Sequence, residues 1–152
     1  MLIESLDMNT PLRIDDARAV DIQAIRDLWQ SIGDDNTSAI RSDAELLRTL
    51  MSGLDYFVLR RNVGLRVIGA VSVMDCTRNL AKIDSLAVHY EHQGNGYGRE
   101  LAKRAVDHCV DNGYHGIITT ALPSSQRIFT GLGFETCDVH RSGNATMFLD
   151  IA

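Results

Sequence analysis

The chain has 152 residues, which is the size of one compact domain, with 45% apolar and 23% charged residues and a net charge of −5. The acidic balance disfavours nucleic-acid binding, because such proteins usually carry a basic face. No apolar run approaches the roughly 18 residues of a membrane span. We therefore expect a single cytoplasmic domain over residues 1–152, with about residues 1–10 as a candidate disordered lead.

The cysteines indicate neither a disulfide framework nor a zinc site. Cys76, Cys109 and Cys137 are odd in number and widely spaced, without a C-x-x-C pair. Each lies in or next to a predicted strand or helix, where we interpret it as a small apolar residue.

The first half of the chain predicts helices followed by strands. A short strand is predicted at residues 12–14, and a helix over about 19–32 has apolar residues at three- and four-residue spacings. A second helix is predicted after Ser42, where Glu45 completes a capping box. Strands follow at 56–59 and 67–74, joined by a turn at 62–64, and at 82–88.

In the second half, strands and helices alternate. The predicted elements are a helix over about 97–112, a strand at 116–120, a short helix at 124–130, and strands at 134–139 and 146–151. This order favours an α/β domain built on a mixed sheet, with helices on both faces.

A glycine-rich turn between a strand and a helix marks a candidate phosphate site. The turn reads Gln93-Gly94-Asn95-Gly96-Tyr97-Gly98, and Arg99 follows it. The first turn of a helix has unpaired N–H groups and positive dipole potential, both of which attract an anion. The three glycines leave room for a phosphate and permit positive φ angles.

Other phosphate-binding motifs do not fit this turn. It lacks the G-x-x-x-x-G-K-[ST] spacing of a nucleotide-binding P-loop. A dinucleotide fingerprint would place a further glycine where Arg99 or Leu101 stands. The remaining alternative is a tight loop whose glycines are needed only for the backbone conformation of the turn and bind no phosphate.

Together with two further motifs, this turn resembles the central motif of the GNAT superfamily of acetyltransferases. The strand end Leu86-Ala87-Val88 precedes it, and Leu132-Gly133-Phe134 closes the short helix downstream. The resemblance implies a mixed, mostly antiparallel sheet of about seven strands in a single domain. It also implies direct transfer of the acetyl group of acetyl-CoA, as co-substrate and without a metal, to an amine.

The resemblance assigns roles to individual residues. Main-chain groups of Leu86, Ala87 and Val88 are expected to pair with the pantetheine arm as an added strand. Amides of the turn are expected to hold the pyrophosphate. The expected cofactor-binding residues are thus Leu86, Ala87, Val88, Gln93, Gly94, Asn95, Gly96, Tyr97, Gly98 and Arg99.

The chain departs from the family at the usual general acid. Many members carry a tyrosine five residues before the Gly-Phe phenylalanine, but here that position is Phe129, which cannot donate a proton. The candidate proton donors are Ser125, Ser124 or a bound water. In a further alternative, the thiolate leaves without a proton donor. Tyr56, Tyr97 and Tyr114 are acids in principle, although no motif places them at the thioester.

Asp84 is the candidate general base, because family members often carry an acidic residue in this strand. Strict alternation places Asp84 on the same face as Leu86 and Val88. The alternative is a surface aspartate paired with Lys82 or with a neighbouring strand. His89 and His92 are other candidate bases, but their place in the linker before the turn favours hydration or contact with CoA.

The function expected from these residues is N-acetyl transfer to a primary amine. The expected acceptor is a small-molecule amine or an amine of a protein or peptide. We expect no nucleic-acid or membrane partner. Because family members are often homodimers, a homodimer is a further expectation. The alternatives are a non-catalytic acyl-CoA-binding module and an interaction domain without a ligand.

Overall fold

A computed structural model of the chain describes residues 12–32, 55–61, 66–77 and 79–152, which form one seven-stranded sheet. The strand order is β1-β2-β3-β4-β5-β7-β6, and every neighbouring pair is antiparallel except β4 and β5. The prediction of a mixed, mostly antiparallel sheet of about seven strands is confirmed. The strands are β1 Leu12–Asp16, β2 Asp55–Arg61, β3 Val67–Thr77, β4 Leu80–Val88, β5 Gly116–Ala121, β6 Glu135–Val139 and β7 Ala145–Asp150.

Helices cover both faces of the sheet, as predicted. They are α1 (Ile22–Ile32, after a 3-10 turn at Ala19–Asp21), α2 (Tyr97–Asp111) and α3 (Gln126–Gly131). The predicted helix after Ser42, the turn at 62–64 and the lead at 1–10 lie outside the described residues. Within the described ranges, no helix is long and apolar enough to cross a membrane.

Two hydrophobic clusters lie on opposite faces of the sheet. The larger one joins the sheet to α2 and α3 through residues such as Leu101 and Phe129, and the smaller one joins it to α1 through Trp29 and Tyr56. The apolar stripe of α1 predicted from the sequence is therefore the face that packs on the sheet. These two clusters fix the helices on either side of the central strands.

The cysteines differ in their surroundings. Cys109 is buried in α2, as predicted, and burial raises the pKa of its thiol to about 11. Cys76 and Cys137 are exposed, so the prediction that they pack as apolar residues is wrong. They lie at the uncovered end of β3 and on the fully exposed strand β6.

The parallel pairing of β4 and β5 is short and leaves a gap. It runs from Leu80 opposite Gly116 to Ile83 opposite Thr119. Beyond that point, β4 continues to Val88 beside β3, while β5 continues beside β7. The two strands therefore separate in the middle of the sheet.

A β-bulge in β4 lies next to this separation. Asp84 pairs with Ser72 and Ala87 pairs with Ala70, so Ser85 and Leu86 together oppose a single residue of β3. Ser85 has a φ of 57°, which is uncommon for a residue other than glycine. The bulge reverses the alternation of side chains between the two halves of β4.

A buried ion pair fixes the start of α1 to β2. Both guanidinium nitrogens of Arg60 donate to the carboxylate of Asp21 at 2.8 Å, and the exposed fractions of the two residues are 1% and 0%. Asp21 also accepts from the Arg18 amide at 2.9 Å. Burial alone would raise the pKa of Asp21, but the bonds from Arg60 and Arg18 outweigh it, so the pKa is lowered.

We expect Asp21→Asn to lower the free energy of unfolding by about 3 kcal/mol, because the buried Arg60 loses its bidentate partner and keeps the partly exposed carboxylate of Asp15, 3.2 Å from its Nε, as a counter-charge. Urea unfolding at neutral pH measures this loss. The matched control is Asp27→Asn, which removes an exposed carboxylate of α1, the helix that follows Asp21, and should change stability little. Equal losses in the two variants would contradict the role of the buried pair.

The same pair predicts a dependence on pH. The folded-state pKa of Asp21 lies below its unfolded value, so its stabilisation is complete above the unfolded pKa of about 3.9 and disappears as pH falls through the folded pKa. The stability difference between the native protein and Asp21→Asn should therefore shrink below about pH 4. A difference that stays constant in acid would contradict this linkage.

Candidate active site

A cavity of about 460 Å³ lies where β4 and β5 separate. On one face of the sheet its walls are Trp29, Ile32 and Ala87, which pack on the α1 side. On the other face its walls include Val88 and Ile128, which pack against the α2 side. Because the walls come from both faces, the cavity passes through the sheet at the gap.

Part of the main chain of β4 faces this gap. The His89 amide donates to the Ile68 carbonyl at 2.7 Å, and bond directions alternate along an antiparallel strand. The N–H and C=O of Val88 therefore turn away from β3 and toward the gap, whereas those of Ala87 turn to β3. The Val88 carbonyl accepts from Nε2 of Gln93 at 3.0 Å, which ties the glycine turn to the strand end.

The three glycines of the turn differ in their reason for being glycine. Gly94 and Gly96 have φ angles of 84° and 81°, and a Cβ on either would meet no atom within 4 Å. Gly98 is helical, and a Cβ there would lie 3.0 Å from Cδ1 of Ile128. The expectation of open space and positive φ thus holds for the first two glycines, while Gly98 permits close packing of α2 on α3.

The turn presents the amino end of α2 to the cavity. Gly96 is the N-cap residue, and the first intrahelical bond of this turn runs from the Glu100 amide to the Gly96 carbonyl at 3.1 Å. The preceding amides of the first turn have no partner within the helix. Asn95 donates to the His92 carbonyl at 3.0 Å and stabilises the turn from outside the cavity wall.

Most of the predicted cofactor residues share this one cavity. Asn95 is the exception, and His92 and the two candidate serines also line it. The predicted residues found in its wall are Leu86, Ala87, Val88, Gln93, Gly94, Gly96, Tyr97, Gly98, Arg99, Ser124 and Ser125.

Asp84 lies on the α1 face of the sheet, outside the cavity wall. Leu86 and Val88 pack with the cluster that contains Ile83, whereas Ala87 packs with the α1 cluster. Asp84 follows Ile83 and so points to the opposite face. The prediction that Asp84 shares a face with Leu86 and Val88 is wrong, because the bulge at Ser85 reverses the alternation.

The surroundings of Asp84 are polar. Its carboxylate accepts from the Ser85 amide at 2.9 Å and, within the described part of the chain, forms no ion pair with Lys82. The strand register aligns Asp84 with Ser72 and Tyr56 across three strands. The Tyr56 hydroxyl accepts from Nε1 of Trp29, a cavity wall, at 3.4 Å.

The candidate acids are placed differently by the fold. Phe129 is 1% exposed, lies edge-on to Phe134 with 5.1 Å between ring centroids, and is not a cavity wall. Ser125 precedes α3 without capping it through its side chain, and among the described residues its hydroxyl has no hydrogen-bond partner. Tyr114 lies beyond the far end of α2, where burial raises its pKa.

Comparison with known proteins identifies the family. The chain matches the model of the acetyltransferase (GNAT) domain over residues 31–151. It belongs to the GNAT acetyltransferase family. The predicted family, enzyme class and fold are thereby confirmed. No curated protein matches the chain in sequence.

Solved structures share the fold at low sequence identity. The yncA protein of Salmonella typhimurium, solved with its cofactor acetyl-CoA, has a TM-score of 0.78 and 21% identity and aligns over 94% of this chain and 95% of its own. A phosphinothricin acetyltransferase from Sinorhizobium meliloti, in complex with acetyl-CoA, has a TM-score of 0.71 and 24% identity over 90% and 85%. A spermidine N-acetyltransferase chimera, from Vibrio cholerae and hSSAT, has a TM-score of 0.73 and 18% identity over 91% and 95%.

Sequence reasoning did not identify three walls of the cavity. Trp29 and Ile32 were interpreted as part of an apolar helix stripe, and both line the cavity as well. Leu122, at the end of β5, is another wall that no motif indicated. The one usable signal was a tryptophan near the end of a helix, since tryptophan is among the residue types enriched at energetically important contacts between proteins.

We expect Phe129→Tyr to lower stability by about 1–3 kcal/mol, because the added hydroxyl enters a closed apolar cluster without a partner. We also expect no gain in turnover, since this ring is not a cavity wall. Urea unfolding and steady-state kinetics measure the two effects. Phe148→Tyr is the control, because that ring is 38% exposed and lies outside a closed cluster. A faster Phe129→Tyr enzyme would show that this position reaches the thioester.

Proposed function

We propose that this acetyltransferase transfers the acetyl group of acetyl-CoA directly to a primary amine. The observation that carries the proposal is the cavity through the sheet, which joins the glycine turn on one face to the α1 side on the other. One substrate can enter from each face, so the two meet in the gap. Holding two reactants in this way accounts for much of the acceleration in a direct transfer.

The cofactor is proposed to enter from the side of α2 and α3. Its pyrophosphate would accept hydrogen bonds from the first amides of α2, aided by the helix dipole and the cation of Arg99. Its pantetheine arm would pair with the N–H of Val88 as a short extra strand. The acyl-CoA structures of the yncA protein and of the Sinorhizobium enzyme support the choice of acetyl-CoA.

The chemistry needs one base and one proton donor. The neutral amine attacks the thioester carbonyl, the C–N bond forms and the C–S bond breaks. Asp84, directly or through a water, is proposed to take the proton that the amine loses, and Ser125 or a water to give one to the departing thiolate. Free CoA has an ordinary thiol pKa near 8.5, so the thiolate also leaves without complete protonation.

The acceptor amine is proposed to approach beside Trp29 and Ile32. The carboxylate of Asp84 on that face attracts a cation, and the net charge of −5 favours the same kind of substrate. Phosphinothricin and spermidine, the amines named for two of the structural neighbours, are the first to test.

Exposed Cys76 and Cys137 without disulfides fit a reducing, cytoplasmic location. A homodimer remains a prediction from the family.

Calorimetric titration with acetyl-CoA tests the cofactor site. The native protein should bind, and Gly96→Trp should not, because its indole would fill the phosphate turn. Gly113→Trp is the matched control, since Gly113 also has a positive φ and open space but lies at the other end of α2. Failure of the folded native protein to bind acetyl-CoA would contradict the proposed function.

We expect Asp84→Asn to lower kcat about a hundredfold, within the range for loss of a general base, without raising the Kd for acetyl-CoA. Steady-state kinetics on the best amine of a panel measures this change. Asp75→Asn, which removes an exposed carboxylate of β3, is the control and should behave like the native enzyme. Unchanged turnover in Asp84→Asn would exclude Asp84 as the base.

A further inference from the structure

Two buried hydroxyls lie where the pairing of β4 is interrupted. Oγ1 of Thr119, in β5, donates to the Ile83 carbonyl at 2.9 Å. Oγ of Ser72, in β3, donates to the Asp84 carbonyl at 3.1 Å. The exposed fractions of Thr119 and Ser72 are 2% and 4%. Consecutive carbonyls of β4 are therefore bonded on opposite edges by side chains of the two neighbouring strands.

Each hydroxyl adds a side-chain bond to the last regular pair on its edge of β4. Ile83 and Thr119 form the last pair before β5 leaves β4, and the Thr119 hydroxyl reinforces it. Asp84 and Ser72 form the last pair before the bulge, where the register with β3 shifts, and the Ser72 hydroxyl reinforces that one. A carbonyl oxygen has two lone pairs, so it can accept such a bond beside the one from the ladder.

We propose that Thr119 and Ser72 are positioning residues of the acetyl-transfer site, an inference that rests on the proposed function. Thr119 fixes the point at which β5 separates from β4, and so sets the width of the gap that receives the acyl-CoA arm. Ser72 fixes the peptide that carries Asp84, and so sets the direction of its carboxylate. The two hydroxyls thus fasten β4 to its neighbours at the two points where regular pairing ends.

The two residues predict separate kinetic effects. Thr119→Val keeps the branched shape that suits a strand and removes only the hydroxyl, so we expect the Kd for acetyl-CoA to rise about fivefold or more, the usual scale for one lost hydrogen bond. Ser72→Ala should lower kcat about fivefold and leave the Kd for acetyl-CoA unchanged. Thr119→Ser and Ser72→Thr keep the hydroxyl and should restore native values.

Calorimetry with acetyl-CoA and steady-state kinetics on all four variants test the inference, with melting curves to confirm folding. Thr119→Ala is the second variant if valine does not fold. A purely structural role would lower the melting temperature of both variants and leave Kd and kcat of the folded protein native, which would overturn the inference. Absence of acetyl-CoA binding by the native protein would instead contradict the proposed function, so the two failures are distinguishable.

Discussion

The end of the parallel pairing at Ile83 and Thr119 is the constraint on which the site depends. A continuous sheet would have its central main-chain groups bonded on both edges and would leave no passage between its faces. Because β5 leaves β4 after Thr119 while it stays paired with β7, the N–H of Val88 faces a cavity and not a neighbouring strand of the sheet. The same separation brings the amino end of α2 close to that edge, since the glycine turn follows directly after β4.

The rest of the fold holds this opening in place from both sides. On one face, the buried pair between Arg60 and Asp21 fixes the start of α1. The other end of α1 then places Trp29 and Ile32 at the cavity. On the other face, Gly98 lets α2 approach Ile128 of α3. Apolar packing alone is tolerant of small shifts, whereas a bidentate buried ion pair has one good geometry.

The features that local sequence determines were predictable. The glycine turn was recognised because a strand, a run of glycines and a helix start are adjacent in the chain. All seven strands were also found from their periodicity, with ends within a few residues of those observed. Periodicity worked because each strand or helix buries one regular face, and the residues at 94 and 96 are glycine for a local conformational reason.

The features that depend on pairing between distant segments were not predictable. A serine at a positive φ gives no sequence signal, so the bulge at Ser85 was missed and the face of Asp84 was assigned wrongly. The prediction that Cys137 is buried was wrong for a related reason. Strand alternation does not show that β6 is an exposed strand at the edge of the sheet. Thr119 was an ordinary strand residue until the register showed that it stands at the last pair of β4 and β5.

The central claim is that the main-chain edge of β4 receives the cofactor, and amide hydrogen exchange at Val88 tests it most directly. In the unliganded protein this amide faces the gap, whereas the Ala87 amide already faces β3. Saturation with CoA should slow exchange at Val88 far more than at Ala87, because the pantetheine arm supplies a partner to the first amide only. Exchange at Val88 that stays unchanged in a protein saturated with CoA would contradict the account.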